Sequence, residues 1–315
     1  MTALDLPNEA TVVEMLPRDG FQRHSEFIPT ETKIEIIDKL STTGIREIEI
    51  TSFSHPNVVP QLRDAEEVAT GIDRNDDVRY RALVPNAIGM RRAINADIKK
   101  VNALVVVSDG YRKRNQGMTL EENLSELAAI VELGEDHGID IEAGVGMGFF
   151  CPYDGDIPQN ETVSVIDEIV NLGINEMTVA TSMGLANPLQ VHSMITRIED
   201  RHPSVSLGLH LHDTNGQSLA NTLIALQLGI DRFDASLCGL GGGTILPSAL
   251  SGIGNTPTED LVNMLGELGI DSNADLQEIV EIATYVAEKL GLSNPSHALM
   301  GGTKAQIRDM VGSID

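Results

Sequence analysis

Apolar residues along the chain fall into short runs separated by longer amphipathic stretches. The runs lie at Val12–Met15, Glu47–Thr51, Arg79–Val84, Ala103–Val107, Ile139–Gly146, Glu176–Val179, Ser206–His212 and Phe233–Leu237. They have the length and β-branched content of buried strands. Between them, Thr30–Thr42, Thr119–Asp136, Pro158–Leu172, Pro188–Arg201 and Gln217–Leu228 carry helical periodicity. Thr30 is the expected N-cap of the first of these, with Lys33 and Lys39 on its wet side. Thr119-Leu-Glu-Glu122 reads as a capping box. Eight strands alternating with helices predict an α/β fold, a TIM (β/α)8 barrel over about residues 11–257. From Thr258 the pattern is helical only, so additional C-terminal helices over about 258–315 flank the barrel in a single domain.

Charge narrows the partners. The formal net charge is −25, which repels nucleic acid and anionic membranes. Only seven of the 22 basic residues are Lys; this reads as a salt-adapted cytoplasmic protein or as an ordinary acidic one. Two cysteines, Cys151 and Cys238, are too few for a disulfide scaffold and suit a reducing compartment. The N-terminus shows no secretion signal, and no apolar run is long enough to span a bilayer.

A barrel carries its active site where the strands end, and polar residues gather there. The first run ends in Pro17-Arg18-Asp19-Gly20-Phe21-Gln22, the second carries Glu49, the third ends in Pro85-Asn86, and the seventh carries His210-Leu-His212. Two histidines two apart on a strand share a face, so both imidazoles can meet one cation with Asp19 as the carboxylate. The competing reading is a pair of hydrogen-bonded structural histidines. Arg18 is placed to stabilise a developing enolate, or else forms a surface ion pair. Glu49, inside Ile48-Glu49-Ile50, is either buried against Arg18 or outward-facing. Arg112, Lys113 and Arg114 follow the fourth strand; they suit the phosphates of a nucleotide-bearing substrate, or form a solvated loop.

Taken together, Pro17–Gln22, Glu49–Phe53, Val59–Gln61, Leu83–Asn86, Cys151–Gly155, His210–Thr214, Gly239–Gly242, Gly254-Asn255 and Thr258–Asp260 resemble the 3-hydroxy-3-methylglutaryl-CoA lyase family of metal-dependent TIM-barrel lyases and Claisen synthases. The resemblance runs from about Val12 to Leu265. It implies a Mg²⁺ or Mn²⁺ ion on Asp19, His210, His212 and Asn255, and an acyl-CoA substrate cleaved to acetyl-CoA and a keto acid. Arg18 and Glu49 would be catalytic. Gln22, Asn86, Thr181, Arg112, Lys113, Arg114 and Gly243 would contact the substrate. A homodimer is a family-level expectation. Two positions depart from the family pattern: Gly243 stands where the family has a catalytic Cys, and Thr181 where it has an Asp. They leave open a related aldolase or Claisen-type enzyme on another hydroxy or oxo acid, or a catalytically silent paralogue.

Overall fold

A computed structural model describes residues 5–242, 254–293 and 296–312. Each predicted run forms a strand: β1 (Thr11–Glu14), β2 (Glu47–Ser52), β3 (Arg79–Val84), β4 (Lys100–Val106) and β5 (Asp140–Gly146). A hairpin of β6 (Phe150–Cys151) and β7 (Gly155–Asp156) follows, outside the barrel. Then come β8 (Glu176–Ala180), β9 (Ser206–His210) and β10 (Arg232–Ala235). The eight barrel strands are all parallel and close in the order β1-β10-β9-β8-β5-β4-β3-β2. Both faces of each strand are covered, which is why the runs are continuously apolar rather than alternating.

The helices present one apolar stripe each to this sheet. In α1 (Thr30–Leu40), Ile36, Ile37 and Leu40 are fully buried, each contributing roughly 1.5–3 kcal/mol. Pro29 rather than Thr30 precedes its first turn, and the Thr30 hydroxyl donates to Asp64 instead. Lys33, predicted on the wet side, is buried, because its ammonium finds Asp64 at 2.6 Å. The outer ring continues with α2 (Ala65–Gly71), α3 (Ala87–Asn95), α4 (Asp109–Asn115) and α5 (Leu120–His137). The Thr119–Glu122 capping box opens α5. α6 (Gln159–Asn171), α7 (Pro188–Arg201) and α8 (Ser218–Gln227) complete it. After the barrel come α9 (Thr258–Glu267), α10 (Leu276–Leu290), α11 (His297–Gly301) and α12 (Lys304–Gly312).

The barrel interior contains an ionic layer. Arg81, Lys100 and Arg232 meet Glu47, Glu49, Glu142, Glu176 and Asp234 in one network, and Arg81 and Glu142 are completely buried. Such ions are tolerated only when each has a partner. The upper members of this layer form the floor beneath the strand ends. No helix among the described residues is long and apolar enough to cross a membrane.

Candidate active site

Asp19 reaches the barrel mouth on a short π-helical turn, Leu16–Gly20, in which the Asp19 and Gly20 N–H groups both donate to the Met15 carbonyl. Such turns insert a residue and re-aim side chains. His210 ends β9, and His212 continues past it through an isolated antiparallel bridge to Asn255. That bridge brings Asn255 to the site from a loop between β10 and α9.

Asp19, His210 and His212 offer ligand atoms that all lie within 4.8 Å of one another. The two Nε2 atoms of His210 and His212 are 3.0 Å apart. His210 Nδ1 lies 3.0 Å from Asp234 Oδ2. A carboxylate there accepts from Nδ1–H and turns Nε2 toward His212. His212 is held neutral: burial, then the neighbouring His210, push its pKa down to about 4, against the pull of Asp19. Burial works against ionising Asp19, yet Arg18, His210 and His212 outweigh it and hold the carboxyl at about 2.

Asn255 completes the set. Its Nδ2 donates to Asp19 Oδ2 at 2.7 Å and to the Leu240 carbonyl at 2.8 Å. Both partners are acceptors, so the amide cannot be turned round, and Oδ1 is left buried with no hydrogen-bond partner among the described residues. Two imidazoles, a carboxylate and an amide oxygen are an oxygen- and nitrogen-donor set suited to a divalent cation. The unpartnered Asn255 Oδ1 and the close Nε2 pair both fit an ion there. Gly241 makes room for this arrangement. Its φ of +145° favours glycine, and a Cβ there would overlap the Asn255 amide and the Asp19 carboxylate.

Arg18 bonds Asp19 through Nη1 and Glu49 through Nε, and Glu49 is fully buried. Glu49 also accepts from Asn102 Nδ2 at 3.1 Å. Arg18, Asp19, Asn102, His210 and His212 line a cavity of about 260 Å³, together with Gln22, Asn86, His55, Tyr111, Gly144, Thr178 and Ser182. Gln22 donates to Asp19 and to the Gly242 carbonyl. Asn86 lines the wall while its Oδ1 caps α3 through the Gly89 N–H.

Other sequence-derived site residues lie elsewhere. Thr181 is absent from the cavity lining; it is buried, and its hydroxyl accepts the His212 N–H at 2.9 Å. Arg112 is turned inward, because the carbonyls of Val106 and Val107 at the end of β4, together with Asp109, satisfy its guanidinium. Lys113 pairs with Asp109, and Arg114 lies over the Tyr153 ring; both stay exposed. Gly243 lies outside the described residues.

Comparison with known proteins settles the family. The HMGL-like family model matches residues 10–286. The chain belongs to that family. It is 38% identical over 293 residues to the hydroxymethylglutaryl-CoA lyase of Bacillus subtilis, covering 93% of this chain and 97% of that protein. It is 35% identical over 291 residues to the mouse mitochondrial hydroxymethylglutaryl-CoA lyase, covering 92% and 89%. Among solved structures, the Bacillus subtilis enzyme superposes with a TM-score of 0.89 at 37% identity, covering 94% of this chain and 98% of that one. An Acinetobacter baumannii lyase in complex with coenzyme A and 3-methylmalate superposes equally well, at 37% identity, covering 96% and 98%. These relatives are carbon–carbon lyases on the same closed barrel.

Proposed function

We propose that this HMGL-like chain is a divalent-metal-dependent carbon–carbon lyase that cleaves 3-hydroxy-3-methylglutaryl-CoA, or a close 3-hydroxy-acyl-CoA, to acetyl-CoA and a keto acid. The observation that carries this reading is the convergence of Asp19, His210, His212 and Asn255 beside an Arg18 gripped by Glu49. These four side chains would hold Mg²⁺ or Mn²⁺, which lowers the pKa of a hydroxyl and polarises a carbonyl when bound.

In the reaction, the 3-hydroxyl loses its proton and its oxygen becomes the ketone of the keto acid. The C2–C3 bond breaks, and its electron pair becomes the enolate of acetyl-CoA. A proton then returns to C2. Arg18 is the group placed for the enolate: its guanidinium is a fixed donor, and Glu49 and Asp19 hold it in one orientation. Asp234 keeps His210 in one tautomer, and Thr181 holds the His212 backbone. Gln22 and Asn86 line the cavity for the acyl portion. Exposed Lys113 and Arg114 sit on the segment whose Asn115 and Gln116 reach the cavity wall, which supports a phosphate-bearing substrate entering there. Cytoplasmic residence suits the two buried, unpaired cysteines.

Gly243 and Thr181, which replace the Cys and Asp of the family pattern, favour a second reading: the same metal-dependent cleavage on a different hydroxy or oxo acid. The discriminating experiment incubates the protein with 3-hydroxy-3-methylglutaryl-CoA and Mg²⁺ or Mn²⁺ and quantifies acetoacetate and acetyl-CoA. Equal, metal-dependent yields of both are expected. Metal-loaded protein that releases neither would overturn the first reading. Turnover of another acid in a metabolite screen would then support the second.

A further inference from the structure

The carboxylates that hold the two halves of the site share one cation. Glu49, which grips Arg18, has Oε2 2.7 Å from Nε of Arg81. Asp234, which orients His210, has Oδ1 3.1 Å from Nη2 of the same residue. The third arm of the guanidinium, Nη1, meets Glu142 Oε2 at 2.7 Å. Arg81 projects from β3, is 0% exposed, and belongs to none of the strand-end motifs. A line of contacts therefore runs from Asp19 through Arg18, Glu49, Arg81 and Asp234 to His210.

We propose that Arg81 is a positioning residue for the lyase site, setting the orientation of His210 and of Arg18 together through Asp234 and Glu49. The planar guanidinium donates from Nη2 to Asp234 and from Nη1 to Glu142, and its Nε edge holds Glu49 as a close ion pair, so Glu49 and Asp234 are kept at one separation. A lysine at this position keeps the charge but has a single ammonium and no such geometry. The inference rests on the metal site proposed above.

Arg232 supplies the internal comparison. It belongs to the same ionic layer, with Nη2 2.9 Å from Glu47 and 2.7 Å from Glu142; among the described residues it makes no ion pair with Glu49 or Asp234, and acts on Asp234 only through its charge at longer range. If Arg81 merely neutralises buried acids, replacing either arginine should act alike.

The test compares Arg81→Lys with Arg232→Lys by Mn²⁺ calorimetry, thermal melting and steady-state kinetics on the substrate that the wild type turns over. Outer partners of metal ligands typically carry 10- to 100-fold in affinity. Arg81→Lys should lose about tenfold or more in Mn²⁺ affinity and a similar factor in kcat, with a smaller change in KM. Arg232→Lys should stay within about twofold on affinity and kcat, whatever its melting temperature. If Arg81→Lys does not fold, the double variant Arg81→Met, Glu142→Gln removes one positive and one negative charge together, and the same Mn²⁺ loss is expected. Wild-type affinity in the Arg81 variant, or equal losses in both lysine variants, would overturn the proposal. A wild type that binds no Mn²⁺ would overturn the proposed metal site itself, a distinguishable failure.

Discussion

Asn255 donates to the Asp19 carboxylate at 2.7 Å across 236 positions of sequence. The bond aligns one ligand and, by using the amide nitrogen, exposes the amide oxygen as another. Asn255→Asp would set two carboxylates face to face with no donor between them, and like charges at that range repel strongly. Without metal the variant should melt several degrees below the wild type, and saturating Mn²⁺ should raise its melting temperature by more than it raises the wild type's. Thermal melts with and without Mn²⁺ check this. An equal metal-induced rise in both proteins would count against Asn255 as a ligand.

The His212 ring packs edge-on against His210 at a centroid distance of 4.9 Å, and burial together with that neighbour holds it neutral. His212→Ala should abolish Mn²⁺ binding while circular dichroism and the melting temperature without metal stay close to wild type. Retained Mn²⁺ affinity by calorimetry would contradict the ligand assignment.

Arg18 touches both Glu49 and Asp19, so replacing it tests chemistry as well as structure. Loss of a single donor to a developing oxyanion typically costs about 10²- to 10³-fold in kcat. Arg18→Gln should show a loss of that order with a smaller change in KM, measured on whichever acyl substrate the wild type turns over. A variant with unchanged kcat would remove Arg18 from the reaction.

Two further carboxyls link the barrel to its C-terminal helices. Glu14 accepts the Leu16 and Leu237 N–H groups and meets the Thr258 hydroxyl, while Glu259 accepts the Cys238 N–H. Burial raises each from 4.5 to about 7. The folded state thus holds protons that the unfolded chain releases above pH 4.5. The stability they contribute is full below pH 4.5 and is lost as pH rises through 7. By the usual conversion this is on the order of 3 kcal/mol per group. The melting temperature should fall between pH 5 and 8, and the double variant Glu14→Gln, Glu259→Gln should flatten that slope. An unchanged slope in the variant would contradict the assignment.

Much of this architecture is legible in the sequence because the pattern changes period cleanly between buried strands and amphipathic helices. The Arg18–Glu49 pair is legible for a physical reason: a carboxylate between two isoleucines needs a cation, and the nearest strand end carries one. Asn255 lies on a loop and is found only through the family motif. Arg81 and Asp234 are harder to find. Each lies two residues after another charged residue at the start of its strand, Arg79 and Arg232, and sequence does not say which of these charges turns into the barrel. Two of the three partners of Arg112 are backbone carbonyls, which leave no trace in residue types. A basic triplet therefore reads as an open phosphate site when one member is internal. Lys33 misleads for a related reason, since Asp64 is 31 residues away.

The most direct measurement of the central claim is a crystal soaked with Mn²⁺ and examined for anomalous scattering. One strong peak is expected at the barrel mouth, roughly 2 to 2.3 Å from Nε2 of His210 and His212, a carboxylate oxygen of Asp19 and Oδ1 of Asn255. A fully loaded crystal with no peak among these four side chains, or with Mn²⁺ bound elsewhere, would contradict it.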